Sequence, residues 1–178
     1  MKIVAFGASS SKNSINKQLA TYAASQIKAS INANAKIEVL DLNDFEMPIY
    51  SIDRENADGI PELAKRFYKK IGDADALVIS FASHNGSYTA AYKNIFDWAS
   101  RINAKVFQGT PIIMLATSPG KGGAKSVLAS AVESAPHFNA DLRASMSIPA
   151  FHENFDTDAQ VLRPGEFADQ LNDALSKL

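Results

Sequence analysis

The sequence predicts an α/β fold, a doubly wound parallel sheet with helices on both faces. Three observations predict it. Short β-branched and aromatic runs alternate with amphipathic helical stretches along the whole chain. Two runs, Ala74 to Phe81 and Pro111 to Ala116, are almost wholly apolar, broken only by Asp75 and Ser80 in the first, as in strands buried on both faces of a parallel sheet. The glycine-, serine- and asparagine-rich stretches follow the strands, where ligands of open α/β sheets bind.

The first strand is Lys2-Ile3-Val4-Ala5-Phe6. After it comes Gly7-Ala8-Ser9-Ser10-Ser11-Lys12-Asn13-Ser14-Ile15-Asn16, then a helix with Ile15, Leu19, Tyr22, Ala23 and Ile27 on one face. A strand, a hydroxyl-rich loop and a helix start together make an anion cradle, because first-turn amides lack partners and the helix N-terminus carries partial positive charge. Gly7 is the only glycine before Gly59, which argues against a dinucleotide fingerprint, and no Gly-Lys-Ser/Thr follows it. A monophosphate held by hydroxyls and amides fits this loop. So does a helix cap at Ser14 or Asn13.

Ile37 to Leu40 is a second strand, followed by a long connection through Tyr50 to Asp58. A helix then opens near Pro61, with Asp58 as its expected cap and Leu63, Phe67 and Ile71 inward. The third strand ends at Phe81. Tyr88, Tyr92, Ile95, Phe96, Ala99 and Ile102 keep helical spacing, and Pro111 to Ala116 is the fourth strand. Gly122-Gly123 leads into a helix ending near His137. Asp141 to Pro149 is a weaker fifth strand, and Phe167 to Leu178 the closing helix. Five strands joined by right-handed crossovers suit the flavodoxin-like order 2-1-3-4-5, in one domain spanning 1–178. Ligand is then expected at loops 7–16, 82–89 and 117–123.

Composition narrows the chemistry. The chain has 178 residues, 46% hydrophobic and 21% charged, with a net charge of −1, so neither nucleic acid nor an anionic membrane is an expected partner. There are no cysteines, which removes disulfides and thiolate chemistry and agrees with a cytoplasmic location. No stretch has the length of a transmembrane helix, and the chain enters a strand at residue 2, leaving no room for a signal peptide. His84, His137 and His152 lack metal-ligand spacing. No Gly-x-Ser-x-Gly elbow is present, so serine hydrolysis has no support.

The middle loop and helix read Ser83-His84-Asn85-Gly86-Ser87-Tyr88-Thr89-Ala90-Ala91-Tyr92-Lys93-Asn94-Ile95-Phe96-Asp97-Trp98. This resembles the NADPH-dependent FMN reductase family, whose pattern is roughly Pro-Glu-Tyr-Asn-x-Ser followed by Leu-Lys-Asn-x-x-Asp-Trp. The first loop resembles that family's Gly-Ser-x-Arg-x-x-Ser-x-Asn at Gly7, Ser9, Ser14 and Asn16. Thr117 to Ala124 resembles its Ser-Pro-Gly-x-x-Gly-Gly, and Met47 to Asp53 its Leu-Pro-x-Tyr-x-x-Asp. Three departures stand out: Ser11 replaces the phosphate-loop arginine, with Lys12 beside it, Ala82 and Ser83 replace proline and glutamate, and His84 replaces tyrosine. Losing a bidentate arginine weakens the hold on a dianionic phosphate.

The resemblance implies FMN as cofactor, with NADPH or NADH as co-substrate and a small-molecule electron acceptor. It implies a hydride passed to the flavin, then electrons passed to a quinone, flavin, azo or nitro aromatic, or metal anion in ping-pong turnover. Ser9, Ser11, Ser14, Ile15 and Asn16 would hold the phosphate. Ser83, His84, Asn85, Gly86 and Ser87 would meet the ring, where the Asn-Gly pair also suits a plain tight turn. Ser118, Pro119, Gly120 and Gly123 would close the other side. Lys93, Asn94 and Asp97 are expected to act structurally, and Trp98 and Tyr92 in the core or a subunit contact. A homodimer or homotetramer is implied, with Met47 to Tyr50 and Phe151 to Phe155 suited equally to a subunit contact or to packing on their own sheet edge. Two other readings remain: an electron carrier without a nicotinamide site, and a flavin-free binding protein.

Overall fold

In the computed structural model, which describes residues 1–178, five parallel strands form one sheet in the order β2-β1-β3-β4-β5. They are β1 (Lys2–Ala8), β2 (Lys36–Val39), β3 (Ala76–Phe81), β4 (Pro111–Thr117) and β5 (Asp141–Ile148). Every residue of β3 is buried, as expected of a run whose one polar member is Ser80. β1 and β4 are buried apart from their first residues. The edge strand β5 is mostly half-buried, and its register with β4 slips between Ile112 and Ile113.

The helices α1 (Ile15–Ser30) and α7 (Glu166–Leu175) cover one face around Leu19, Ala23, Ile27, Val78 and Leu171. The other face is covered by α3 (Glu62–Gly72), α4 (Ala90–Ile102) and α5 (Lys125–Ser134), around Phe6, Phe67, Tyr92, Trp98 and Met114. Gly7 lets α1 start against β1. A Cβ there would stand 2.3 Å from the Lys17 nitrogen, so only glycine permits this approach.

Three sequence expectations need correction. The 41–58 connection is not featureless: it holds a 3₁₀ turn at Leu42–Phe45 and the short helix α2 (Ile52–Asp58), capped by Ser51. Asp58 therefore ends α2 and does not cap α3, whose N-cap is Pro61 with no side-chain bond. Phe151 and Phe155, suited to a subunit contact or to packing on their own sheet edge, do not serve the first: they are buried and stacked 4.7 Å apart. They lie in or beside the short helix α6 (Phe151–Asn154), which precedes the hairpin β6 (Phe155–Asp156) and β7 (Val161–Leu162). Long aromatic side chains beside a sheet edge bury more apolar area by folding under it than by facing water.

Candidate functional site

The carboxyl ends of β1, β3 and β4 open on a hollow of about 260 Å³. Of the predicted residues, Ser9, Ser11, Ser14, Ile15, Asn16, Ser83, His84, Ser118 and Pro119 line it, together with Asn13, Ala82 and Thr117. Asn85, Gly86, Ser87, Gly120 and Gly123 lie outside its lining.

On the first wall, Ser14 is the N-cap of α1 and its hydroxyl accepts the Lys17 N–H at 3.2 Å. Ser9 Oγ accepts the Ser11 N–H at 3.1 Å. The backbone N–H groups of Ile15 and Asn16 have no acceptor, as first-turn donors do not unless a ligand supplies one. With the hydroxyls of Ser9, Ser11 and Ser14 close by, the donor set is that of an anion cradle. Cations stand outside it. Lys12 and Lys17 line a separate polar shelf beside α1, and Lys17 Nζ is 2.6 Å from an Asp41 carboxylate oxygen. That lysine holds the Asp41 carboxyl below its ordinary value, with the Asn43 N–H helping. An FMN phosphate fits this cradle as an anion held by neutral donors and the helix terminus.

Asn16 departs from its expected part. It is 3% exposed, and its side chain is committed to the protein. Its Oδ1 accepts from Ser80 Oγ at 2.7 Å and from the Thr117 N–H at 3.1 Å, while Nδ2 donates to the Thr117 carbonyl at 3.1 Å. Only its backbone N–H is left for a ligand. The side chain instead pins the start of α1 to the ends of β3 and β4. Sequence reasoning places Thr117 only at the start of the third loop and does not find Ser80 as its companion. Ser80 is a lone hydroxyl in an otherwise apolar strand, and that was the available signal.

On the second wall, Asn85 and Gly86 take φ of 53° and 81°. His84 and Ser87 exchange backbone hydrogen bonds of 3.0 and 3.1 Å across them. This is the tight turn that Asn-Gly favours, and its tip is exposed. Ser126 Oγ donates to the Gly86 carbonyl at 3.2 Å, which joins the turn to α5. Thr89, the N-cap of α4, donates to the Ala8 carbonyl at 2.8 Å and ties this wall to β1.

On the third wall, Ser118 Oγ donates to the Gly120 carbonyl at 3.1 Å. Gly123 packs on the edge strand: a Cβ there would stand 2.3 Å from Ser147 Oγ, so its part is packing. Gly123 and Ala124 are consecutive left-handed residues, a strained turn of the kind that gathers at ligand sites.

Behind the walls, Asn94 accepts the Tyr50 N–H at 2.8 Å and donates to the carbonyls of Met47 and Pro48. Lys93 pairs with Asp97 at 2.7 Å, and Trp98 is buried with its indole N–H on the Pro48 carbonyl.

The family model for NADPH-dependent FMN reductase matches residues 1–151. The chain belongs to that family. A 2-hydroxy-1,4-benzoquinone reductase of a Burkholderia species is 34% identical over 124 residues, covering 69% of this chain and 63% of its own length. A quinone reductase of Escherichia coli strain K12 is 29% identical over 70% of this chain and 64% of its own. The matched region thus spans a little under two thirds of these curated relatives. Among solved structures, the flavoenzyme NAD(P)H:(acceptor) oxidoreductase FerB from Paracoccus denitrificans aligns with TM-score 0.74 at 25% identity, over 98% of this chain and 93% of that one. An FMN-dependent NADH-azoreductase from Bacillus anthracis, solved with FMN, aligns at TM-score 0.69 and 13% identity, over 99% of each chain, a likeness of fold. For this member of the NADPH-dependent FMN reductase family, the loops on which the sequence resemblance rests are the three that meet at the hollow.

Proposed function

We propose that the protein is an FMN-dependent NAD(P)H oxidoreductase that reduces small acceptors of the quinone class. One observation carries this reading: the three strand-end loops converge on a hollow whose phosphate end presents unpaired amides and whose only ionisable lining residue is His84. Such a site binds and orients a ring, and none of its serines is hydrogen-bonded to His84 as an activated nucleophile would be. When bound, FMN supplies the hydride and electron chemistry. Ser9, Ser11, Ser14 and the Ile15 and Asn16 amides would hold its phosphate. The 83–87 turn and the Ser118–Pro119 segment would hold the ring between them and keep one face open.

Nicotinamide and acceptor then share that open face in turn, which gives ping-pong kinetics. Parallel double-reciprocal lines are expected with NAD(P)H and a quinone, and intersecting lines would count against it. The exposed segment at Ile49, where the side chain is 76% exposed, is the proposed subunit contact.

The deciding experiment is the visible spectrum of the purified protein with added FMN. Flavin that binds, bleaches with NADPH or NADH, and recovers with a quinone supports the reading. Bound flavin that ignores both nicotinamides means an electron carrier, and no flavin uptake means a flavin-free binding protein.

A further inference from the structure

A second cleft of about 310 Å³ lies between α4 and α5 and shares no lining residue with the flavin hollow. Phe81, Phe96, Phe107, Phe138 and Met114 form its walls. Phe96 and Phe138 meet edge to face at 4.7 Å, a geometry that leaves flat ring faces for a third aromatic group. Its volume is at the low end of cavities that hold small organic ligands, about 300–1,000 Å³.

Of its polar lining residues (Tyr88, Tyr92, Lys93, Asp97, Ser130 and Ser134), only Tyr92 is buried. Tyr92 is 4% exposed, and its ring packs on Phe81 at 5.4 Å and Tyr88 at 5.3 Å. Its backbone N–H is used by the Thr89 cap, but its hydroxyl has no hydrogen-bond partner. No side-chain oxygen in the protein is both unpartnered and sealed from solvent. The Tyr92 oxygen therefore reaches open space, and the space that this residue lines is the cleft. A hydroxyl so placed lacks a partner that a folded protein ordinarily provides. Burial holds its pKa well above the ordinary tyrosine value, so it remains a neutral donor. At the mouth, Lys93 and Asp97 neutralise one another at 2.7 Å, so the entrance favours neither ionic class.

We propose that this cleft is a second binding site, separate from the flavin, for an uncharged aromatic molecule of two or three fused rings bearing one oxygen that meets the Tyr92 hydroxyl. The aromatic walls select a flat apolar body, and the lone buried donor fixes its orientation. The site is independent of the assigned redox chemistry, and its occupant need not be reducible.

The test uses β-naphthol, which is fluorescent and carries the required oxygen, with the protein prepared both free of FMN and saturated with it. One β-naphthol per chain is expected to bind both forms with the same affinity and not to displace FMN. Tyr92→Phe, which removes only the hydroxyl, should weaken binding about 5- to 10-fold while FMN uptake stays unchanged. Ser130→Trp, a substitution at the exposed rim, should block binding. Unchanged FMN uptake by each variant shows that it has folded. Three results would overturn the proposal: no binding to the wild type, binding lost on FMN saturation, and equal binding by wild type and Tyr92→Phe. It would also fall if sedimentation showed the cleft closed by a second copy, with Ser130→Trp producing monomers.

Discussion

Asn16 shows how much one side chain does at this site. Its carboxamide joins the first turn of α1 to Ser80 on β3 and Thr117 on β4, the strands behind the other two walls. Asn16→Ala would take from the Thr117 N–H and the Ser80 hydroxyl the acceptor they share in a buried place, at a cost of about 2–3 kcal/mol. Chemical denaturation should register that loss, and fluorescence titration should show FMN affinity falling more than 10-fold as the walls lose their spacing. Unchanged FMN affinity would mean that the walls hold without it. Ser14→Ala removes a helix cap and, on the proposed reading of the site, a phosphate donor, so a loss of about 1 kcal/mol in stability is expected, with a further loss in FMN affinity. An effect on stability alone would make Ser14 a cap and nothing more. Gly7→Ala is expected to be the most damaging of the three, because the Cβ would meet backbone that cannot retreat. Soluble expression and melting temperature would check it. These roles were unevenly legible. The serines and the lone early glycine announced an anion cradle, but nothing in the spacing said that Asn16 would turn inward, since that depends on where β3 and β4 end.

At the scale of elements, ion pairs and side-chain ties fasten the loops around the site. Lys17 of α1 reaches Asp41 at the start of the 3₁₀ turn, and Lys70 of α3 bonds to Glu38 on β2. Both carboxyls are held below their ordinary values, chiefly by these lysines. A carboxyl whose folded pKa is depressed contributes stability that is present above its unfolded pKa and lost as pH falls through the folded one. Acid should therefore erode stability from about pH 4 downward, and Asp41→Asn should remove part of that pH dependence while lowering stability at neutral pH. Urea titrations at several pH values would show it, and a slope identical to wild type would contradict it. Asn94 works in the same way without charge, holding residues 47–50 against α4. The sequence placed α4 and the four long helices that flank the sheet through their apolar periodicity. It carries no sign of α2, seven residues with no buried side chain, because a helix without an apolar face leaves no periodic trace.

For the whole molecule, the sheet order brings β1, β3 and β4 side by side, so that loops more than sixty residues apart in the chain meet. The outward face carries Ile49 at 76% and Ile52 at 53% exposure. If that segment is the subunit contact, Ile49→Asp should turn an oligomer into a monomer by light scattering without unfolding it. A wild-type monomer would remove the contact altogether. The other expected contact, Phe151 to Phe155, is spent inside the fold.

The sequence by itself determined the fold class, the strand order and the three loops of the site, because each depends on local signals: apolar period, turn chemistry and the position of loops after strands. Tertiary structure alone decided which side chains in those loops face a ligand. Asn16 faced the protein, Gly123 faced β5, the Asn85-Gly86 tip stayed at the surface, and Tyr92 kept a free hydroxyl in a second cleft. The physical reason is that a side chain's partner is set by what lies across the sheet or helix from it, and such neighbours are distant in sequence.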